Sequence, residues 1–383
     1  GRQGVVLTSP DGINWTARAS GTTASLHAVH ANATRIVAVG QDGTILTSTD
    51  AVAWVPRASG TARHLYCVTA SPTRFGILGD GGTILSSPDG IAWTAQGSGA
   101  VTPLRGLAWN GTQFCGVGDF GMILTSVDGA LWLQQSAWTG LFSDVIWTGS
   151  LHCAVGDGGT VLTSQDGAVW ARQASGSSAW LTAVAASGDR VTAVGSNGTI
   201  LTSPDGVTWT AQASGTTAFL TGLAWAGNLF VAVGEQGSVL TSPDGSLWLK
   251  SPSGTSEWLL DVAWSGSLLA AVGSNGPILT SADAMAWTAR PSGTAASLSG
   301  LVWDGTQLLA GGNSGTTGNV THRSQGFVTG LTDTRFTLLD LLGKGGIHRL
   351  VAFVSSLGHF VLRDAQNIMG LGTGFSQSFL VGA

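Results

Sequence analysis

Charge is what this sequence has least of. Only 10% of its 383 residues are Asp, Glu, Lys or Arg, against about 25% in an ordinary globular chain. Lysine occurs twice, at Lys250 and Lys344. With a net charge of −5 there is no polycationic footprint for nucleic acid or acidic lipid. No apolar run reaches the ~18 residues of a membrane span. Cys67, Cys115 and Cys153 are the only cysteines, and they imply no disulfide framework. Disorder is excluded by composition, because 43% of residues are hydrophobic and 16 are Trp. What is abundant is glycine, 58 residues, about twice the usual ~7% share.

An internal repeat organises the chain. The run TSPDGINW at residues 8–15 returns seven times with small changes. Its aspartates are Asp11, Asp50, Asp89, Asp128, Asp166, Asp205, Asp244 and Asp283, spaced 39 residues apart with a single interval of 38. Four residues after each stands a tryptophan: Trp15, Trp54, Trp93, Trp132, Trp170, Trp209, Trp248 and Trp287. Asp carboxylates accept bonds from nearby backbone N–H groups and hold tight turns. The following Gly takes positive φ without steric cost, and Trp offers a large surface for a neighbouring sheet. Ala51 and Ala284 replace that Gly in two copies, so those turns are expected to be strained or of another type.

One period reads as four short strands joined by Gly turns. In residues 214–252 they are a (Ala218–Ala226), b (Asn228–Val233), c (Ser238–Ser242) and d (near Leu247–Lys250). Four strands per ~39 residues is the blade of a β-propeller. The pattern S/T-x-D-G-x-x-W resembles the Asp-box, or BNR, repeat of sialidase-like propellers. With AVG-x-x-G-x-(I/V)-L-T-S before the box, the blade looks most like the photosystem II assembly-factor and YVTN/BNR-like families. The resemblance covers residues 1–312.

The first box has only strands c and d before the next period, while residues 297–312 supply an a and b without a box. The expected fold is therefore all-β: an eight-bladed propeller over 1–312, closed by N- and C-terminal strands. GRQG at the start matches internal b–c turns such as GEQG, so the native chain is expected to begin upstream of Gly1. Residues 313–325 read as a linker. Residues 326–383 read as a small β-rich extension for docking, oligomerisation or attachment, with a short helix over Leu338–Leu342 as the alternative. Residues 313–383 are net +2, with five Lys or Arg against three Asp, while 1–312 are net −7.

Catalysis finds little support. The resemblance to sialidases implies an arginine cluster, a Tyr nucleophile with a Glu partner and an acid/base Asp. Here Tyr66 is the only Tyr, Glu235 and Glu257 are the only Glu, and the family's (F/Y)RIP motif is missing. Asp80, Asp119, Asp157 and Asp261 are candidates for the carboxylate pair of another glycosidase, but nothing singles out two of them. A carboxylate ring of Asp42, Asp80, Asp119, Asp157 and Glu235 in the b–c turns suits Ca²⁺. Ordinary hairpin chemistry explains the same pattern, with Asn197 and Asn275 at corresponding turns, so no metal and no cofactor is expected. Cys115 and Cys153 share a strand-b column with Val37 and Val231 and read as buried thiols.

The informative variation lies just before strand a. That column reads Ser25, His64, Pro103, Leu141, Trp180, Phe219, Trp258 and Ser297. Its aromatic members form an arc suited to stacking on sugar rings or anchoring a peptide; the alternative is that they cap the inter-blade core, as Trp109, Trp147, Trp225, Trp264 and Trp303 do. Trp138, in an irregular loop, is expected to be the most exposed tryptophan. The candidate ligand set is Trp138, Leu141, Trp180, Phe219, Trp258 and His64. The expected function is a non-enzymatic binding or scaffold module displayed on a cell surface or particle, phage-associated or adhesin-like. Its partners would be a protein assembly or a surface glycan, with residues 313–383 joining a larger oligomer. An assembly chaperone is the alternative, acting through a basic patch of Arg18, Arg57 and Arg290, and a glycoside hydrolase is the third reading.

Overall fold

A computed structural model describes residues 4–135, 138–313, 338–343, 346–354 and 360–364. Eight four-stranded antiparallel sheets make up the first unit, Gly1–Phe327. In the sixth blade, strand a is Leu220–Trp225, b is Phe230–Gly234, c is Val239–Ser242 and d is Leu249–Ser251. These bounds lie within a few residues of those expected from the repeat. Blades 1 to 7 begin their strands a at Leu26, Leu65, Leu104, Phe142, Leu181, Leu220 and Leu259.

Blade 8 is assembled from both ends of the repeat region. Ser297–Trp303 and Leu308–Asn313 are its a and b; Val5–Ser9 and Thr16–Arg18 are its c and d. The joining register pairs Val5 with Gly312, Leu7 with Ala310 and Ser9 with Leu308. The ring therefore closes through hydrogen bonds between distant segments, as the blade count required.

Eight apolar clusters fill the eight junctions between neighbouring blades. Each box Trp belongs to the junction with the preceding blade: Trp209 packs with Ile146, Cys153 and Val155 of blade 4, and Trp248 with Val194 and Ile200 of blade 5. Polar bridges accompany this packing. A β-bulge at the second residue of strand a disturbs the ladder. In blades 5 and 6 that residue is Thr182 or Thr221, whose hydroxyl donates at 2.6 Å to Leu220 O or Leu259 O of the next blade. Ser299 and His27 make the same bridge to Leu26 O and Leu65 O. One position further, buried Asp144 and Asp261 accept N–H groups of Val184 and Leu301 in the following blades. Asp261 is thus engaged in joining blades, and burial pushes the Asp144 carboxyl well above its ordinary range.

The second unit, Val328–Ala383, contains a three-stranded antiparallel sheet of Leu338–Gly343, Gly346–Val354 and Phe360–Asp364. Leu338–Leu342 is strand rather than helix. Apart from Asn313, the linker expected at 313–325 lies outside the described residues.

Deleting residues 297–312 is expected to abolish cooperative thermal unfolding; an unchanged melt would show that closure does not hold the ring. The closing blade also contains a defect. Its fourth strand-b residue is Gly311, where other blades carry Val39, Val194 or Val233, and a small apolar cavity opens there against Leu26, Trp54 and Leu309. A Cβ on Gly311 would meet Val5 O at 3.8 Å and Leu26 Cβ at 3.9 Å, ordinary contact distances. Gly311→Ala is expected to stabilise the ring by about 0.5–1 kcal/mol, read from the denaturant midpoint.

Candidate ligand-binding face

Strand order places the b–c turns and the d–a loops at one end of the ring and the box turns at the other. At the first end a backbone clamp recurs. In seven blades the first b–c turn residue donates its N–H, at 2.8 or 2.9 Å, to the carbonyl of the residue before strand a; Ser196 to Trp180, Glu235 to Phe219 and Ser274 to Trp258 are three of these. Strand b must end in Gly for this approach. A Cβ on Gly195, Gly234 or Gly273 would stand about 2 Å from the same carbonyl oxygen, closer than atoms can pack. In blades 4 to 6 the turn side chain also takes that residue's N–H: Asp157 from Leu141, Ser196 from Trp180 and Glu235 from Phe219, at 2.9–3.1 Å. The backbone is held on both sides, and the side chain is left to vary.

Leu141, Trp180, Phe219 and Trp258 are all half-buried. Phe219 meets Trp180 edge to face at 5.7 Å and stacks on Trp258 at 6.3 Å, with an interplanar angle of 19°. Trp180 Nε1 donates to Ser143 Oγ at 2.6 Å. Among the described residues, none of these three rings belongs to an inter-blade cluster. Trp109, Trp225, Trp264 and Trp303 pack against such clusters; Trp147, expected to do the same, instead meets the His152 ring at 4.8 Å. Trp138 corrects an expectation: its indole folds onto the cluster holding Cys115 and Phe142, and its Nε1 is buried without a hydrogen-bond partner among the described residues. It is half-buried rather than the exposed tryptophan of its loop.

The opposite half of this face carries charged and polar side chains beside the exposed Val101 and Phe120. Arg105 pairs with Asp119 through two hydrogen bonds, Nη2 to Oδ2 measuring 2.9 Å. Its guanidinium lies 5.6 Å from the Tyr66 ring centre, and Tyr66 stacks on His27 at 5.7 Å. His27 meets His64 edge-on at 6.2 Å, and His64 Nδ1 lies 3.9 Å from Asp42. Burial opposes the Arg105 charge, but Asp119 outweighs it and holds the guanidinium above its ordinary pKa. Burial, with the Asp80 charge, raises the Tyr66 phenol. His27, Tyr66 and Arg105 share the bulged second position of strand a, where other blades carry Ser, Thr or Leu. That column of strand a is the sequence signal that marks them.

The carboxylate ring does not form as expected. Asp80, Asp119, Asp157 and Glu235 hold the first turn position, but Asp42 holds the second, at φ +55° and exposed. Asp119 is paired, Asp157 and Glu235 hold the neighbouring backbone, and Asp80 accepts from Gly81 N. Among the described residues no three His, Cys, Asp or Glu side chains converge on a point where a metal ion would sit.

At the other end every box has one design. Asp205 Oδ1 accepts from Val207 N, Thr208 N and Ser203 Oγ at 2.7–3.0 Å, while Trp209 Nε1 donates to Gly206 O at 2.8 Å. Ala51 and Ala284 keep this turn at φ +59° and +60°, so they adopt the same type with the strain that a side chain adds there. Backbone N–H donors hold all eight box carboxyls below the ordinary carboxylate pKa. Arg18, Arg57 and Arg290 turn out to serve the fold as well. Each donates Nε to a strand-c Thr hydroxyl at 2.8 Å, the bond that Gln135, Gln173 and Gln212 make elsewhere. All three cysteines are buried, and burial raises the Cys115 and Cys153 thiols.

No protein-family model matches the chain, and no curated protein does. Solved structures are similar to it. The computationally designed Ika8 protein is 15% identical, with 76% of this chain and 95% of that one covered and a TM-score of 0.67. For the C-terminal WD40 domain of Sif2 the values are 12%, 77%, 97% and 0.60. For YCF48 bound to D1 peptide they are 18%, 76%, 93% and 0.54. The protein is an eight-bladed β-propeller. At these identities the likeness of this propeller to the others establishes the fold alone.

Two buried histidines give the propeller a pH dependence. Burial lowers His30 and His152 from 6.5 to about 4. The unfolded chain binds their protons first, so the histidines' contribution to stability is full above pH 6.5 and declines as pH falls towards 4, while the raised Asp144 carboxyl acts in the opposite sense. The box aspartates add a steeper loss below their ordinary pKa of 3.8. His152→Phe with His30→Ala, residues found in the same columns of other blades, is expected to flatten the melting temperature between pH 6.5 and 4. A slope that persists would assign the dependence elsewhere.

Proposed function

We propose that this propeller is a non-enzymatic binding or scaffold module that takes a protein or glycan partner on the face carrying the clamped loops. The observation that carries this reading is the arc of Trp180, Phe219 and Trp258, three half-buried rings that stay outside the inter-blade cores. Large rings with their backbone already fixed give contact area at low entropic cost. Enzymatic readings gain nothing from the geometry. Asp119, Asp157 and Asp261 are engaged in holding the fold, and Tyr66 stacks against His27 and Arg105 rather than beside a glutamate. The box turns fit the Asp-box design in every bond described above, which supports placing the chain among Asp-box propellers.

Display on a cell surface or particle suits the low charge and the repeated, Gly-rich blades, with residues 313–383 as the attachment to a larger assembly. A second reading is an assembly chaperone. It is favoured by the likeness to YCF48, a propeller whose structure carries a D1 peptide. In that reading a peptide would occupy this same face, since Arg18, Arg57 and Arg290 are engaged with strand c.

The first experiment is fractionation of the source material, following this chain by mass spectrometry. Co-sedimentation with particles or filaments supports display, and recovery as a free monomer supports the chaperone. Trp180→Ala with Trp258→Ala is then expected to weaken retention of the co-fractionating partner by a factor of ten or more, about 1.4 kcal/mol, at unchanged melting temperature. A lower melting temperature with partner retained would make the rings core caps.

A further inference from the structure

The two halves of the binding face differ in charge. Around the aromatic arc, the d–a loops and b–c turns of blades 4 to 7 contain Asp157, Glu235 and Glu257 and no Lys or Arg. Glu235 and Glu257 are the only glutamates in the chain, and both stand within this arc. Glu235 Oε2 accepts the Phe219 N–H at 3.1 Å. Glu257 directly precedes Trp258, and its Oε2 accepts from Asn275 Nδ2 at 2.7 Å. Both residues are half-buried. The arginines of this face, Arg63 and Arg105, fall in the other half, and Arg105 is neutralised by Asp119.

Aromatic faces are electron-rich and attract a guanidinium or ammonium group, more strongly where the site is partly desolvated. A carboxylate beside the ring adds a direct Coulomb attraction. Rings alone would suit a sugar, but uncompensated carboxylates beside the rings contribute nothing to a neutral glycan and repel an acidic one. Resting on the reading of this face as a binding surface, the geometry points to a basic side chain, arginine or lysine, of a protein partner as the group that Trp180, Phe219 and Trp258 receive between Glu235 and Glu257. The clamp that fixes the backbone of Trp180 and Phe219 from both sides keeps the rings in place before the cation arrives, so little ordering is needed on binding.

The test is calorimetric titration of the full chain with three probes: an octapeptide alternating Arg and Ala, its Glu–Ala counterpart, and neutral chitotetraose. The Arg peptide is expected to bind, to weaken with added salt, and to lose about tenfold in affinity in E235Q/E257Q. Gln keeps an acceptor for the Phe219 N–H, so the melting temperature of that variant is expected to hold and serves as the folding control. No binding of the Arg peptide at millimolar concentration overturns the inference. So does equal binding of the Glu peptide, or chitotetraose binding that survives E235Q/E257Q while the Arg peptide is ignored. If W180A/W258A still abolishes partner retention in those cases, the binding face stands and only its cation preference falls. If partner retention is untouched by W180A/W258A, the binding-face reading fails with it.

Discussion

Five residues near one end of the repeat region pair with five near the other, and the ring depends on that pairing. Among the described residues, Val5–Ser9 against Leu308–Gly312 is the only place where the sheet ladder joins distant parts of the sequence. Every other blade is a local meander. Seven such meanders laid in a row would leave two apolar faces, one at each end, with nothing to cover them. Closure supplies the missing blade between them and so completes the last two junctions, those of blade 8 with blades 7 and 1. The Thr, Ser and His bridges to the next blade's carbonyl satisfy acceptors at the strand-a bulge that the ladder does not reach.

Within each blade, work is divided between backbone and side chain. On the loop face the chain is pinned by contacts that need no particular residue before strand a: a carbonyl accepting a turn N–H, and a glycine that permits the approach. Ser, His, Pro, Leu, Trp and Phe all fit the same backbone, which lets one repeat present different chemistry in each blade. At the box end the reverse holds. The Asp carboxylate, the Gly or Ala carbonyl and the indole N–H are all engaged in one turn, and little variation is tolerated. The Arg and Gln of strand d belong to this second kind, since both offer an N–H at the reach of a strand-c hydroxyl.

The regularity of the repeat made the fold legible. Because the box recurs at a nearly constant interval, the strand columns align by inspection, and the split blade follows from counting strands before the first box and after the last. The site was legible only in part. Trp180, Phe219 and Trp258 stand in a column whose variation is visible. Tyr66, Arg105 and His27 stand at a β-bulge, where alternation of inward and outward residues is interrupted, so a period-two reading cannot tell which way they face. Trp138 lies in the one interval shortened to 38 residues, and a loop of changed length turned its indole inward. The basic column of Arg18, Arg57 and Arg290 looked like a surface feature because sequence does not show a cross-strand partner.

The split of blade 8 also sets a timetable for synthesis. Val5–Ser9 and Thr16–Arg18 leave the ribosome before the seven other blades, yet their partner strand begins at Leu308. At ~5–20 residues per second, the nascent hairpin waits on the order of 15–60 s with one edge unpaired. During that wait each following blade emerges with a strand b closely similar to the one it needs. One departure in the closing strand, Gly311 where the other seven blades carry Val or Leu, distinguishes the true partner from the strands b that emerge before it.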